Sequence, residues 1–168
     1  MRILGIDPGI AITGFGVIET DGQRSSALAY GCIRTAASLS MPERLEQVYR
    51  ELQELIARHQ PQEAAIEKLF FAKNANSAMQ VGEARGVAVL TARIAGLQVF
   101  EYTPLQVKQA VVGYGRAEKN QVQQMMKMLL GLDQLPRPDD AADGLAIALC
   151  HAHSGAGRAA LQRRKNYV

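Results

Sequence analysis

No run in this 168-residue chain approaches the ~18 consecutive apolar residues that a membrane-crossing helix needs, and no basic-then-apolar leader opens it. The first residues read directly as a strand, so the expectation is a cytoplasmic protein with no membrane partner. Cysteine is scarce: Cys32 and Cys150 are far apart and lack C-x-x-C spacing. In a reducing compartment they read as buried thiols, not as a disulfide. No histidine or cysteine spacing suggests zinc. His151 and His153, two apart on a helix, point to different faces and read as solvent-facing or packing residues. Net charge is small as well, at +3.

That small charge is unevenly placed. Residues 1–67 carry 6 basic and 9 acidic groups, and residues 68–168 carry 13 and 7. A basic surface around an acidic centre suits a polyanionic substrate, although a basic side can also serve solubility alone. The length fits one domain with a core of ordinary size.

The pattern of elements predicts an α/β fold. Residues 2–7, Thr13–Val17 and Ala27–Arg34 read as three strands joined by short turns, hence an antiparallel meander. Ser40-Met-Pro-Glu43 reads as a capping box opening a helix over 42–58, and Pro61 closes it. Glu63–Glu67 and Gln98–Tyr102 are further strands, separated by a long helix over 74–95. Thr103-Pro104 starts a short helix, and others follow at about 118–130 and from Pro138-Asp139 to about His153. Three meander strands plus two helix-connected parallel strands predict a five-stranded mixed sheet with helices on both faces. The domain spans 1–153, and residues 154–168 read as a basic, flexible tail.

Within that frame, four acids stand out. The apolar run Ile3–Ile6 ends in Asp7, and Ala64–Ile66 ends in Glu67. Asp140 and Asp143 share one side of the last helix. Taken singly, each has a plain reading: a turn former in Asp-Pro-Gly, an ion pair with Lys68, helix-start acids that complement the dipole. Asp139 best fits the role of a dipole-complementing or capping residue. Taken together, four anions at strand ends and one helix start point to divalent cations. They would hold two Mg²⁺ or Mn²⁺ ions, one activating water and the other stabilising a leaving 3′ oxygen.

These residues, with their neighbours, resemble the RuvC-type Holliday-junction resolvases of the ribonuclease-H-like superfamily. The matching stretches are Gly5–Gly9, Ala65–Asn74, Gly82–Gly86, Val107–Gln109 and Asp140–Asp143, and the likeness runs to about residue 153. It implies a Mg-dependent endodeoxyribonuclease with two Mg²⁺ per site, Mn²⁺ being possible, that nicks two opposing strands of a four-way DNA junction symmetrically. The ends would be 5′-phosphate and 3′-hydroxyl. By the same resemblance Asp7, Glu67, Asp140 and Asp143 are metal ligands, and Lys119 is catalytic. Phe70, Lys73, Lys108, Arg116 and Lys119 are expected to contact DNA. The implied partners are the four-way junction, a second copy of the chain and a branch-migration helicase complex.

Several readings stay open beside the resemblance. Phe70 in an apolar loop suits stacking on unpaired bases, and Phe71 suits packing. The stripe Ala75, Ala78, Gly82, Gly86, Ala88 and Ala92 suits either a second helix in a homodimer or tight packing on its own sheet. Met125, Met126 and Met128 read as core or half-buried. The rival functions are an actin-like or sugar-kinase-type ATPase, a related nuclease acting on RNA or hybrid, and a junction-binding module without catalysis. The Asp-x-x-Asp pair and the single lobe that 168 residues supply speak against the first.

Overall fold

The computed structural model describes residues 1–69, 75–155 and 159. Its strands β1 (Arg2–Asp7), β2 (Ile12–Thr20), β3 (Ser25–Arg34), β4 (Glu63–Glu67) and β5 (Gln98–Tyr102) form one sheet in the order β3-β2-β1-β4-β5. The first three make an antiparallel meander, and β1, β4 and β5 run parallel. The helices are α1 (Met41–His59), α2 (Ala75–Ile94), α3 (Pro104–Val112), α4 (Lys119–Leu130) and α5 (Asp139–His153). Architecture and element order agree with the sequence-based expectation. The main difference is length: β2 starts one residue earlier and ends three later than expected, and β3 starts two earlier.

Position in the sheet explains the strand compositions. β1 and β4 are central and covered on both faces, so Ile3, Leu4, Ile6 and Ala64–Ile66 are all fully buried. That is why they read as continuous apolar runs instead of alternating ones. β3, at the edge, alternates between half-buried and exposed over most of its length. α1 starts with the expected capping box, Ser40 donating from its backbone nitrogen and its hydroxyl to Glu43 Oε2 at 2.7 and 2.6 Å. It buries Val48, Leu52 and Ile56 against the sheet.

The core therefore has two halves. α1 and α2 cover the face carrying Leu4, Ile6, Val17 and Ile66. α3, α4 and α5 cover the opposite face, carrying Ile3, Ile18 and Ala65. In α2 the small residues divide by face: Ala84, Ala88 and Ala92 are buried against the protein's own sheet, whereas Gly86 looks into open space. The methionines of α4 divide too, with Met126 in the core and Met128 exposed.

α5 lies unusually close to the sheet because glycines remove the side chains between them. A Cβ on Gly5 would fall 2.1 Å from the Gly144 carbonyl oxygen, one on Gly14 2.0 Å from that of Asp140, and one on Gly16 2.5 Å from the Leu145 nitrogen. Real Cβ atoms do not tolerate such distances, so bare backbone of β1 and β2 touches the helix. The alternation in Thr13–Val17 marks more than a strand: its glycines set where α5 can sit. Just beyond α5, Ser154 acts as its C-cap and accepts a hydrogen bond from the Tyr102 hydroxyl at 3.1 Å. Most of the expected tail 154–168 lies outside the described residues.

Candidate active site

β1 and β4 end side by side, so their last residues, Asp7 and Glu67, leave the sheet at the same edge and on the same face. Asp7 is in register with Gly14 on β2, and Gly14 admits the backbone of Asp140. The glycine contact thereby delivers the first turns of α5, with Asp140 and Asp143, to the strand ends. All four carboxylates are half-buried.

Both strand ends are braced from behind. In the turn after Asp7, Thr13 Oγ1 donates to the Gly9 carbonyl at 2.6 Å and Thr35 Oγ1 to that of Ile10 at 2.5 Å. Arg44 Nε in turn donates to Thr35 Oγ1 at 2.8 Å. On α2, Arg85 Nε donates to the Glu67 carbonyl at 3.3 Å, while the guanidinium pairs with Glu101 on β5. A cavity of about 230 Å³ opens between Asp7, Glu67, Leu69, Ala78, Val81 and Arg85.

The acids raise one another's proton affinity. Burial, then the charge of Asp140, pushes Asp7 from 3.8 up to about 6, against Lys119 and a hydrogen bond from Glu67. Burial, then the charges of Asp7 and Asp143, pushes Glu67 up to about 8, with Lys108 opposing. Burial and Asp7 push Asp143 up to about 7, with Lys119 opposing. Asp7 and Glu67 are hydrogen-bonded to each other and titrate as a pair, both pushed upward. A site that penalises its own ionised form in this way has an excess of negative charge to be neutralised.

The residues expected to meet DNA are less uniformly placed. Lys119, first residue of α4, pairs with Asp139 Oδ2 at 2.6 Å and still exerts its charge on Asp7 and Asp143. Lys108 on α3 acts on Glu67. Arg116 is exposed between α3 and α4. Phe70, Phe71 and Lys73 lie outside the described residues. Pro138 is the N-cap of α5, and Asp139 follows it in the first turn, where it complements the helix dipole, with its carboxyl held low by Lys119. Cys150 is buried, but Cys32 is only half-buried, because it sits on edge strand β3.

Residues 3–151 match the family model described as crossover junction endodeoxyribonuclease RuvC. The chain belongs to that family. It is 59% identical over 155 residues to the crossover junction endodeoxyribonuclease RuvC of Alkaliphilus metalliredigens, covering 92% of this chain and 94% of the relative. A solved structure of T. thermophilus RuvC in complex with a Holliday junction substrate is 37% identical, with a TM-score of 0.88 over 94% of this chain and 96% of the other. The yeast mitochondrial Holliday junction resolvase shares the fold at 13% identity, TM-score 0.67, covering 98% and 82%.

RuvC-family enzymes are metal-dependent DNA nucleases, and the donor set here fits a hard divalent cation. It consists of carboxylate oxygens alone, half-buried and mutually repelling. Among the described residues, no three acidic, histidine or cysteine side chains are already gathered around one point.

Some supporting residues escape a linear reading. Arg85 lay within a matching stretch, yet nothing local shows that it holds the carbonyl behind Glu67. His151, which read as solvent-facing or packing, is fully buried and hydrogen-bonded to Glu63 at 2.6 Å and to Tyr102 at 2.7 Å. His153 is exposed.

Proposed function

We propose that this RuvC-family chain resolves four-way DNA junctions by symmetric nicking of two opposing strands, leaving 5′-phosphate and 3′-hydroxyl ends. The observation that carries the reading is the meeting of Asp7, Glu67 and Asp143 at one end of the sheet, where burial first and mutual repulsion second push all three above ordinary carboxylates. Asp7, Glu67, Asp140 and Asp143 are the residues that would hold two Mg²⁺ ions, or Mn²⁺ in their place. Bound there, the cations would supply Lewis-acid activation of water and neutralise charge on phosphorus and the leaving 3′ oxygen.

The chain's own groups do the rest. β1 and β4 fix two carboxylates on a rigid edge, and the glycine-seated α5 fixes the other two, so little reorganisation is left for the reacting state. Asp7 and Glu67, whose carboxyls are both held above their ordinary values, would ionise as cations bind. Lys119 and Lys108 flank the acids and are positioned to meet non-bridging phosphate oxygens, with Lys119 catalytic. Arg116, Lys73 and Phe70 extend the contact surface, Phe70 by stacking on junction bases.

The working unit in this reading is a homodimer. Met79, Leu90 and Ile94 project from α2 at 66%, 59% and 63% exposure, on the side where Gly86 leaves the backbone open. That apolar face suits a second copy of α2, and two-fold pairing would present two sites to a nearly two-fold junction. A branch-migration helicase complex is the further partner, and the cytoplasm the place of action. The nuclease domain is 1–153, followed by a basic tail. No described helix is long and apolar enough to cross a membrane.

The test offers a synthetic four-way junction, a linear duplex and an RNA–DNA hybrid, each with Mg²⁺, Mn²⁺ or EDTA. Paired nicks confined to the junction and abolished by EDTA are expected. Preferential cleavage of the hybrid, or ATP turnover, would overturn the reading.

A further inference from the structure

Lys119 opens α4 and Asp139 opens α5, and the two are joined across the gap between the helices at 2.6 Å. The pair is open to solvent, with 66% of the lysine and 39% of the aspartate side chain exposed. Beside it runs a broad groove of about 810 Å³ lined by Lys119, Asn120, Gln123, Arg137, Pro138 and Asp139. This groove is separate from the cavity at Asp7 and Glu67, which α2 and β4 enclose. Its floor is fixed: Gln123 Nε2 donates to the Pro136 carbonyl at 3.0 Å and ties α4 to the segment leading into α5.

The lining is cationic and amide-rich with one exception. Lys119 and Arg137 are positive, Asn120 and Gln123 carry amides, and Asp139 alone is negative. Arg137 is exposed, and among the described residues no ion pair engages it. Arginine, lysine and amide donors together match the oxygens of a phosphodiester. We propose that this groove seats a backbone phosphate of the bound DNA next to the cleavage centre, with Asp139 as its latch. In the free protein Asp139 holds Lys119; when the phosphate arrives, Lys119 exchanges one anion for another.

The energetics permit the exchange. An exposed pair of this kind is worth little, so releasing it costs at most a few-fold in affinity. A phosphate contact made in its place also releases a counterion from the DNA. The inference rests on Lys119 facing DNA, as in the proposed function, and adds Arg137 and Asp139 to that contact.

The experiment measures junction affinity in EDTA, where nothing is cut, by fluorescence anisotropy between about 50 and 200 mM salt. It compares the native chain with Arg137→Ala, Asp139→Asn, Lys119→Ala and the Asp139→Asn/Lys119→Ala double variant. Arg137→Ala is expected to weaken binding several-fold and lower the salt slope by about 1. Asp139→Asn should tighten it by roughly two- to fivefold, and the gain should vanish in the Lys119→Ala background. An equal gain in that background would make Asp139 a merely repelling charge and overturn the latch. So would an unchanged affinity for Asp139→Asn. An unaltered slope for Arg137→Ala would remove the phosphate from the groove. Native affinity and slope in Lys119→Ala would instead defeat the assignment of Lys119 to DNA, and the latch with it.

Discussion

The two ends of α5 bury polar groups in opposite ways. At its C-terminal end His151 is fully buried, hydrogen-bonded through Nε2 to Glu63 and through Nδ1 to Tyr102, and stacked on Phe100 with centroids 4.3 Å apart. Tyr102 is bonded in turn to Ser154. At its N-terminal end Asp140 and Asp143 face Asp7 and Glu67, and the acids disfavour one another's charge. One strand even serves both ends, since β4 begins at Glu63 and finishes at Glu67. Among the described residues no buried side-chain nitrogen or oxygen lacks a partner, so the fold can satisfy its polar groups. That it leaves four carboxylates in conflict at one end marks that end as the place where stability has been given up for chemistry.

This contrast predicts opposite signs for neutralising substitutions. The largest effect is expected at the acidic end. Asp7→Asn should lower junction cleavage on the order of 10³-fold or more, since both charge and ligand oxygen are lost. Yet in EDTA at pH 8 the same variant should be more stable, by about 1–2 kcal/mol after discounting for partial exposure. Urea melts alongside a cleavage assay measure both. A variant that loses activity because it is less stable would place Asp7 among the structural groups and dissolve the comparison.

His151→Ala is the counterpart. It strands Glu63 in a sealed interior, and leaving a buried polar group without its partner costs about 1–3 kcal/mol, more where the group is charged. The urea midpoint should fall accordingly. A loss below about 1 kcal/mol would show that the cluster is no tighter than a surface pair.

The two ends also differ in how far they could be read in advance. Asp7 and Glu67 are visible because an apolar run that stops at an acid is a local pattern, and Asp140 with Asp143 because three-residue spacing sets a shared helix side. The helices were legible from their caps, Ser40 with Glu43 and Thr103 with Pro104, which act within one turn. The His151 cluster is not local: its partners lie 88 and 49 residues away. Nor is the seat of α5, because Gly14 and Gly16 look like any alternating strand until the helix is placed on them. Asp139 and Asp140 are adjacent and chemically identical. Only the position of Lys119, twenty residues earlier, separates an ion-paired acid from a candidate ligand.

The smallest predicted effect sharpens the comparison through pH. Asp7 and Asp143 are raised from 3.8 to about 6 and about 7, and Glu67 from 4.5 to about 8. An acid with a raised value in the folded state binds its proton more tightly there than when unfolded. Its contribution to stability is therefore full below the unfolded value and is lost as pH rises through the folded one. In EDTA the melting temperature should fall between about pH 5 and 8.5, by roughly 5 °C for a chain of this size. Saturating Mg²⁺ should reverse the fall, since a ligand that binds only the folded state stabilises it and its ligands are the ionised acids. In Asp7→Asn the slope should flatten, because the remaining acids lose their main repelling neighbour. A melting temperature that is level across this window, or that Mg²⁺ leaves unmoved at pH 8, would mean that the strand-end acids are as well accommodated as His151, and the contrast between the ends of α5 would fall.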